Sequence, residues 1–191
     1  MLVARRLSGV GLAILALQCV PAGQASAAPA RWGGNWHLYE AIHVPAGLSW
    51  PSALLRAQAR GCGWYLATIT SAAENAFVRD LDAGRPGLLV EGRFGPWLGG
   101  FQESSRREPA GGWRWVTGED FGYANWAGSE PDNDASAALR SLEPGVGRGT
   151  DETFLHIYSD GAWNDLSATS LPRGYVVEFD SHRRRRCRQR G

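Results

Sequence analysis

Asn125-Trp126-Ala127-Gly128-Ser129-Glu130-Pro131-Asp132-Asn133-Asp134 crowds carboxylates around a single proline, and further along Trp163-Asn164-Asp165 places an amide and another carboxylate directly after a tryptophan. Carboxylates at this density repel one another unless a cation lies among them. A trans peptide before Pro131 would send the Glu130 and Asp132 side chains apart, whereas a cis bond would fold the chain back so that their oxygens converge. Calcium takes several hard oxygen ligands from carboxylates, amide carbonyls and water, in flexible geometry. Glu130, Asp132, Glu152, Asn164 and Asp165 offer such a set, four carboxylates and one side-chain amide. Each piece alone also reads as a solvated turn. Their occurrence together, in order, with an aromatic strand between the two halves, favours a metal site.

Around this segment the chain divides into helices early and strands late. Trp36 to His43 reads as a strand. Ser49-Trp50-Pro51 sets a capping serine and an early proline ahead of Ala53, Leu54, Leu55 and Ala57, the pattern of a helix start. Ser71-Ala72-Ala73-Glu74 is a capping box that opens a second helix through Phe77, Val78 and Leu81, and Gly84-Arg85-Pro86-Gly87 stops it. Further strands are expected at Trp97–Phe101, Trp113–Val116, Phe154–Tyr158 and Tyr175–Phe179, joined by long glycine-rich loops. The fold class is therefore α+β.

Composition narrows the function classes. The chain has 191 residues, 43% hydrophobic and 20% charged, with a formal charge of +1. That length and balance fit one folded domain. The neutrality is an average. Arg5 and Arg6 lie at one end, and Arg183, Arg184, Arg185, Arg186, Arg188 and Arg190 at the other, which leaves 12 arginines against 19 carboxylates in between. Three cysteines, Cys19, Cys62 and Cys187, make neither a disulfide framework nor a zinc site. Cys187 can pair with Cys62 or with another chain, and the sequence does not decide between them. The apolar run Val10–Val20, preceded by Arg5-Arg6 and followed by Ala25-Ser26-Ala27, has the build of a cleaved secretory signal over residues 1–27. Cys19 offers an alternative as a lipid-attachment site. The mature chain would carry no transmembrane segment and would work outside the cytoplasm, secreted, periplasmic or at the cell surface.

From about Trp36 to Asp180 the chain resembles a C-type lectin-like domain. The resemblance rests on Leu66-Ala67-Thr68-Ile69-Thr70-Ser71 with Glu74-Asn75, on Trp97-Leu98-Gly99-Gly100, on Gly112-Trp113-Arg114-Trp115, on Tyr123-Ala124-Asn125-Trp126, on Glu130-Pro131-Asp132 and on Trp163-Asn164-Asp165. The ending Gly174-Tyr175-Val176-Val177-Glu178-Phe179 is most similar to domains of exported bacterial proteins. The resemblance implies two helices packed on antiparallel sheets with a long calcium-binding loop region, in a domain over residues 28–181. It implies a Ca2+ held by Glu130, Asp132, Glu152, Asn164 and Asp165, with the same residues contacting a sugar whose hydroxyls complete the shell. The partner would be carbohydrate, either the monosaccharide termini of glycans or a polysaccharide. A protein partner, or a structural or adhesion role with calcium structural or absent, is the alternative. Nucleic acid is not expected.

This sequence departs from the family pattern in three ways. Glu130-Pro131-Asp132 mixes the family's Glu-Pro-Asn and Gln-Pro-Asp tripeptides, so the sugar class is open. The stretch between Asp132 and Glu152 carries an insertion containing Leu142–Gly149, and Asn133, Asp134 and Asp151 there could join an auxiliary ion site. The usual cysteines are missing. Phe154, Ala168 and Val177 stand where three would be, and Ala57 or Ala59 where the fourth would, so that Trp36, Trp50, Trp64, Trp97, Trp113, Trp115 and Trp163 are expected to build the core instead. Trp126, beside the site, is the one tryptophan placed to stack on a sugar, although core is its commoner role. His37, His43, His156 and His182 are scattered, with no nucleophile setting, so the chain is not expected to be an enzyme. The tail, residues 182–191, is expected to be a disordered, Arg-rich end.

Overall fold

The apolar runs of the late strands are continuous, not alternating, which suits strands covered on both faces. A computed structural model of the chain describes residues 28–82, 94–103, 109–133 and 151–189. The order is β1 (Ala30–Arg31), β2 (Leu38–His43), α1 (Trp50–Ala59), β3 (Trp64–Leu66), α2 (Ala72–Asp82), β4 (Trp97–Gln102), β5 (Trp113–Trp115), β6 (Glu152–Ile157), β7 (Trp163–Ser167), β8 (Gly174–Phe179) and α3 (Ser181–Arg188). The strands form one sheet with the path β1-β2-β8-β4-β6-β7, while β3 pairs β8 and β5 pairs β4. All pairings are antiparallel except β4 with β8, at Trp97 opposite Tyr175. The residues before residue 28, the second-helix stop at Gly84–Gly87 and the insertion at Leu142–Gly149 lie outside the described residues.

Two cores follow from the alternation of side chains along the strands. Val176 of β8, Leu98 of β4, Leu155 of β6 and Trp163 of β7 enter one, with Val78 of α2. Tyr175 and Val177 of β8, Trp97 of β4 and Leu166 of β7 enter the other, with Trp50, Ala53 and Ala57 of α1. Ala57, Phe154 and Val177, which replace expected cysteines, thus meet in the second core as apolar packing. Trp50, Trp97, Trp113, Trp115 and Trp163 are buried as expected. Trp36 is not: it is 70% exposed. Its backbone sits at φ 65°, inside the turn that precedes β2, so the strand begins at Leu38 and the indole faces solvent.

Ser49 caps α1 by position, yet its hydroxyl donates to Ser52 Oγ, and the first backbone bond is Ala53 N to Ser49 O. At α2 the Glu74 N–H donates to Ser71 Oγ, while the Glu74 carboxylate reaches past the box to accept from Thr70 N and Thr70 Oγ1 and from Tyr39 OH. The capping box is therefore half used, because the buried tyrosine competes for the glutamate.

The tail departs from expectation. Ser181–Arg188 is helical, with Asp180 accepting from His182 N at the cap. A short arginine run does not hold a helix by itself. Here a Cys62–Cys187 disulfide ties it to the turn after α1. Arg183 donates to Thr117 O and lies over the Tyr65 ring, and Arg184 lies over Phe179.

The strand motif Trp97-Leu98-Gly99-Gly100 has a steric cause. A Cβ on Gly99 would stand 2.5 Å from Leu66 O and 2.9 Å from Val116 Cγ2, so β4 approaches β3 more closely than any side chain permits. Gly99→Ala is expected to lower unfolding stability by about 1–3 kcal/mol, read as an earlier urea midpoint at unchanged slope. An unchanged midpoint would contradict the close approach.

His37 anchors the start of β2 to β8, with Nδ1 2.6 Å from Glu178 Oε1 and Nε2 3.5 Å from Asp180 Oδ1. Burial opposes its charge, but the hydrogen bond and negative charge of Glu178, joined by Asp180 and Glu119, outweigh burial and hold its pKa above 6.5. A raised folded-state pKa gives stability that is complete below the unfolded value and is lost as pH rises through the folded one. The melting-temperature advantage of wild type over His37→Gln is expected to be largest below about pH 6.5 and to shrink as the pH rises above it. An advantage that grows with pH would contradict this.

Candidate metal and ligand site

Trp163 holds the acidic segment in place. Its backbone N–H donates to Asn125 O at 2.8 Å, and its carbonyl accepts from Ala127 N at 2.9 Å, so Trp126 bridges in parallel to β7. Asn125 Nδ2 donates to Gly161 O, and Glu130 N turns back to Ala127 O. The Glu130–Pro131 peptide is cis. Beyond it, Asp132 N and Asn133 N donate to the two carboxylate oxygens of Asp165 at 3.4 and 3.2 Å.

Glu130, Asp132 and Asp165 converge, with carboxylate oxygens all within 4.8 Å of one another. Two oxygens bound to one calcium at about 2.4 Å can stand at most about 4.8 Å apart, so this spacing fits the ion. Asp165 is fully buried, Glu130 half-buried and Asp132 exposed, which leaves an open side. Glu130 Oε2 is buried without a hydrogen-bond partner. Burial, then the charges of Asp132 and Asp165, push the Glu130 pKa up to about 7. Burial pushes Asp165 up to about 6, against the backbone N–H groups that favour its charge.

The other two expected ligands are placed differently. Asn164 is buried on β7, opposite His156 of β6. Glu152 is buried at the first position of β6, opposite Ser167, and its carboxylate is not one of the three that converge. Its backbone N–H donates to Asn133 Oδ1 at 2.6 Å. Asn133 is the residue the sequence undervalued. At φ 53° it joins the acidic loop to both Asp165 and β6, and an asparagine after an acidic turn, where left-handed backbone is tolerated, is the signal that could have found it. Asp134 lies outside the described residues. Trp126 is partly buried in the first core, its ring 4.8 Å from Trp113 and 5.8 Å from Trp163, which makes it wall more than platform.

No family model matches the chain. It is 26% identical to a perlucin-like protein of Mytilus galloprovincialis over 178 residues, covering 90% of this chain and 98% of that protein. It is 38% identical over 71 residues to C-type lectin domain family 10 member A of Rattus norvegicus, a match to 36% of this chain and 20% of that longer protein. Among solved structures it is similar to the C-type lectin CEL-I from Cucumaria echinata, with TM-score 0.58 and 23% identity over 80% of this chain and 97% of that one. It is also similar to a calcium-independent type II antifreeze protein, with TM-score 0.52 and 20% identity over 82% of this chain and 96% of that one. The chain has the C-type lectin fold, and the α+β expectation holds.

Crowded carboxylates should destabilise the protein when no cation is present. In chelator at about pH 8, where all three would be ionised, Glu130→Gln is expected to raise the melting temperature above wild type, and added calcium should reverse that order. A variant less stable than wild type in chelator would contradict the crowding.

Proposed function

We propose that this chain, which has the C-type lectin fold and resembles C-type lectin domains, is an exported calcium-dependent carbohydrate-binding protein. One observation carries the reading: three carboxylates converge at calcium spacing, and one buried oxygen among them, Glu130 Oε2, has no hydrogen-bond partner among the described residues. The fold alone would not bring calcium, since it also serves a calcium-independent antifreeze protein. The donor set does. Glu130, Asp132 and Asp165 would hold the ion, with Asn164 and Glu152 completing the protein's share. When bound, calcium supplies open coordination positions that sugar hydroxyls can fill in place of water.

The protein's own residues then read the sugar. Carboxylate oxygens of Glu130 and Asp132 accept hydroxyl protons, and the Asn164 amide can donate to a hydroxyl lone pair. Acceptors on both sides of Pro131 suit a ligand that offers donors on both hydroxyls, and they leave the stereochemical class to be measured. Asp165, held by Asp132 N and Asn133 N, positions the loop as well as the ion. Export by a signal over residues 1–27 belongs to the same reading, and a secreted product beginning near Ala28 would support it. Among the described residues no helix is long and apolar enough to cross a membrane.

The test is a glycan array probed with the mature protein in calcium and in chelator, beside Glu130→Gln and Asp165→Asn. Glycan binding is expected in calcium only, with a loss of about tenfold or more in each variant. Binding that survives chelation and both substitutions would refute the site. Calcium-dependent thermal stabilisation without glycan binding would refute the sugar ligand while keeping the ion.

A further inference from the structure

The tail helix closes a second cavity, which the acidic loop does not touch. It has a volume of about 700 Å³ and lies between α1, β3, the turn after β5 and α3, lined by Leu54, Gln58, Trp64, Tyr65, Glu119 and Arg186 among others. That is the size range of small-ligand pockets. Its walls combine aromatic rings, an aliphatic edge and polar groups, so they suit a ring-shaped, partly apolar and hydroxylated molecule more than a lipid chain.

The charged groups around the cavity divide into occupied and available ones. Asp180 caps α3 through His182 N and lies near His37. Glu119 accepts from Thr68 Oγ1 and Thr117 Oγ1. Arg183 is held by Thr117 O and the Tyr65 ring. Arg185 contacts His182 Nδ1 and does not line the cavity. Arg186 lines the cavity and has no hydrogen-bond or ion-pair partner among the described residues. Holding Arg183, Arg184, Arg185 and Arg186 on consecutive positions of a clamped helix is electrostatically unfavourable, and an anion at Arg186 would relieve it.

We infer that this cavity is a second, calcium-independent binding site for an acidic sugar, with Arg186 taking a carboxylate or sulfate and the ring lying against Leu54, Val116 and the edge of Trp64, whose face Arg60 covers. Glu119 Oε1, whose companion Oε2 takes both threonine hydroxyls, and Gln58 are available to the sugar's hydroxyls. The Cys62–Cys187 disulfide is what keeps Arg186 at the wall, because it joins the end of the helix to the turn that opens into β3.

The experiment is calorimetric titration of the mature protein in chelator with a heparin tetrasaccharide, beside uncharged maltotetraose and a single-stranded DNA of matched charge. Binding of the acidic tetrasaccharide alone is expected. Arg186→Gln should weaken it about tenfold or more, the ratio for losing one charge-assisted hydrogen bond. Arg185→Gln should leave it within about threefold, as expected of an exposed charge outside the site. The double variant Cys62→Ser with Cys187→Ser should weaken it, and Asp165→Asn should not. Arg186 is exposed and unpartnered, so melting curves of Arg186→Gln are expected to match wild type. Equal losses in the Arg185 and Arg186 variants, equal affinity for the DNA, or binding that requires calcium would each overturn the proposal. None of these outcomes depends on the acidic loop, so failure here leaves the reading of that loop intact.

Discussion

Trp163 is the interaction on which the rest of the structure depends. Its ring is fully buried and meets Trp115, Phe121, Tyr123 and Trp126 edge-on, and its Nε1–H donates to Asn75 Oδ1 of α2 at 2.7 Å. Its backbone, at the same time, pairs with Asn125 and Ala127. One residue therefore ties a helix, the aromatic core and the acidic loop together. Asp165 lies two positions further along the same strand, so whatever positions the indole also positions the carboxylate. Packing and site geometry are thereby coupled through a few ångströms of β7.

Buried carboxylates fall into two kinds here, and the difference separates scaffold from site. Glu178 accepts from His37, Tyr65 OH and Thr68 N. Glu74 accepts from Tyr39, Asn35 and Thr70. Each has enough donors to replace the water it lost, which is the ordinary condition for burying a charge. Glu130 has an orphaned oxygen, and its nearest charged neighbours are two more carboxylates. The first kind needs nothing further. The second is the kind that the proposed cation would complete.

The fold was legible where the pattern was local. Ser49-Trp50-Pro51 and Ser71–Glu74 placed both helices, and the aromatic strands fell where β4, β5, β6 and β8 stand. The convergence of Glu130, Asp132 and Asp165 was legible because loop and strand motifs occur together and each carries its own chemistry. What escaped depended on long-range contact. The short β1 and β3 carry too few residues to show a period. Trp36 reads as core by composition, but a left-handed backbone turns it outward. The tail reads as disorder because its six arginines favour solvent, and what holds Ser181–Arg188 as a helix is the disulfide between Cys187 and Cys62, 125 residues away, together with the seat of Arg183 on Thr117 O and the Tyr65 ring. Neither a turn conformation nor a distant cross-link is written in neighbouring residues.

Charge segregation follows from the same topology. The sheet path ends at β7, and the carboxylate cluster hangs there. The arginine helix follows β8, inside that path, and is fixed against β3 and α1. The two regions share no residue, and the buried Glu178 pairs with His37 and Tyr65 on the side of the arginine helix. The formal charge of +1 thus averages over a chain in which carboxylates cluster in one loop and arginines in one helix. Each would bind a partner of opposite sign, so one small domain can hold both without the two sites competing for a ligand.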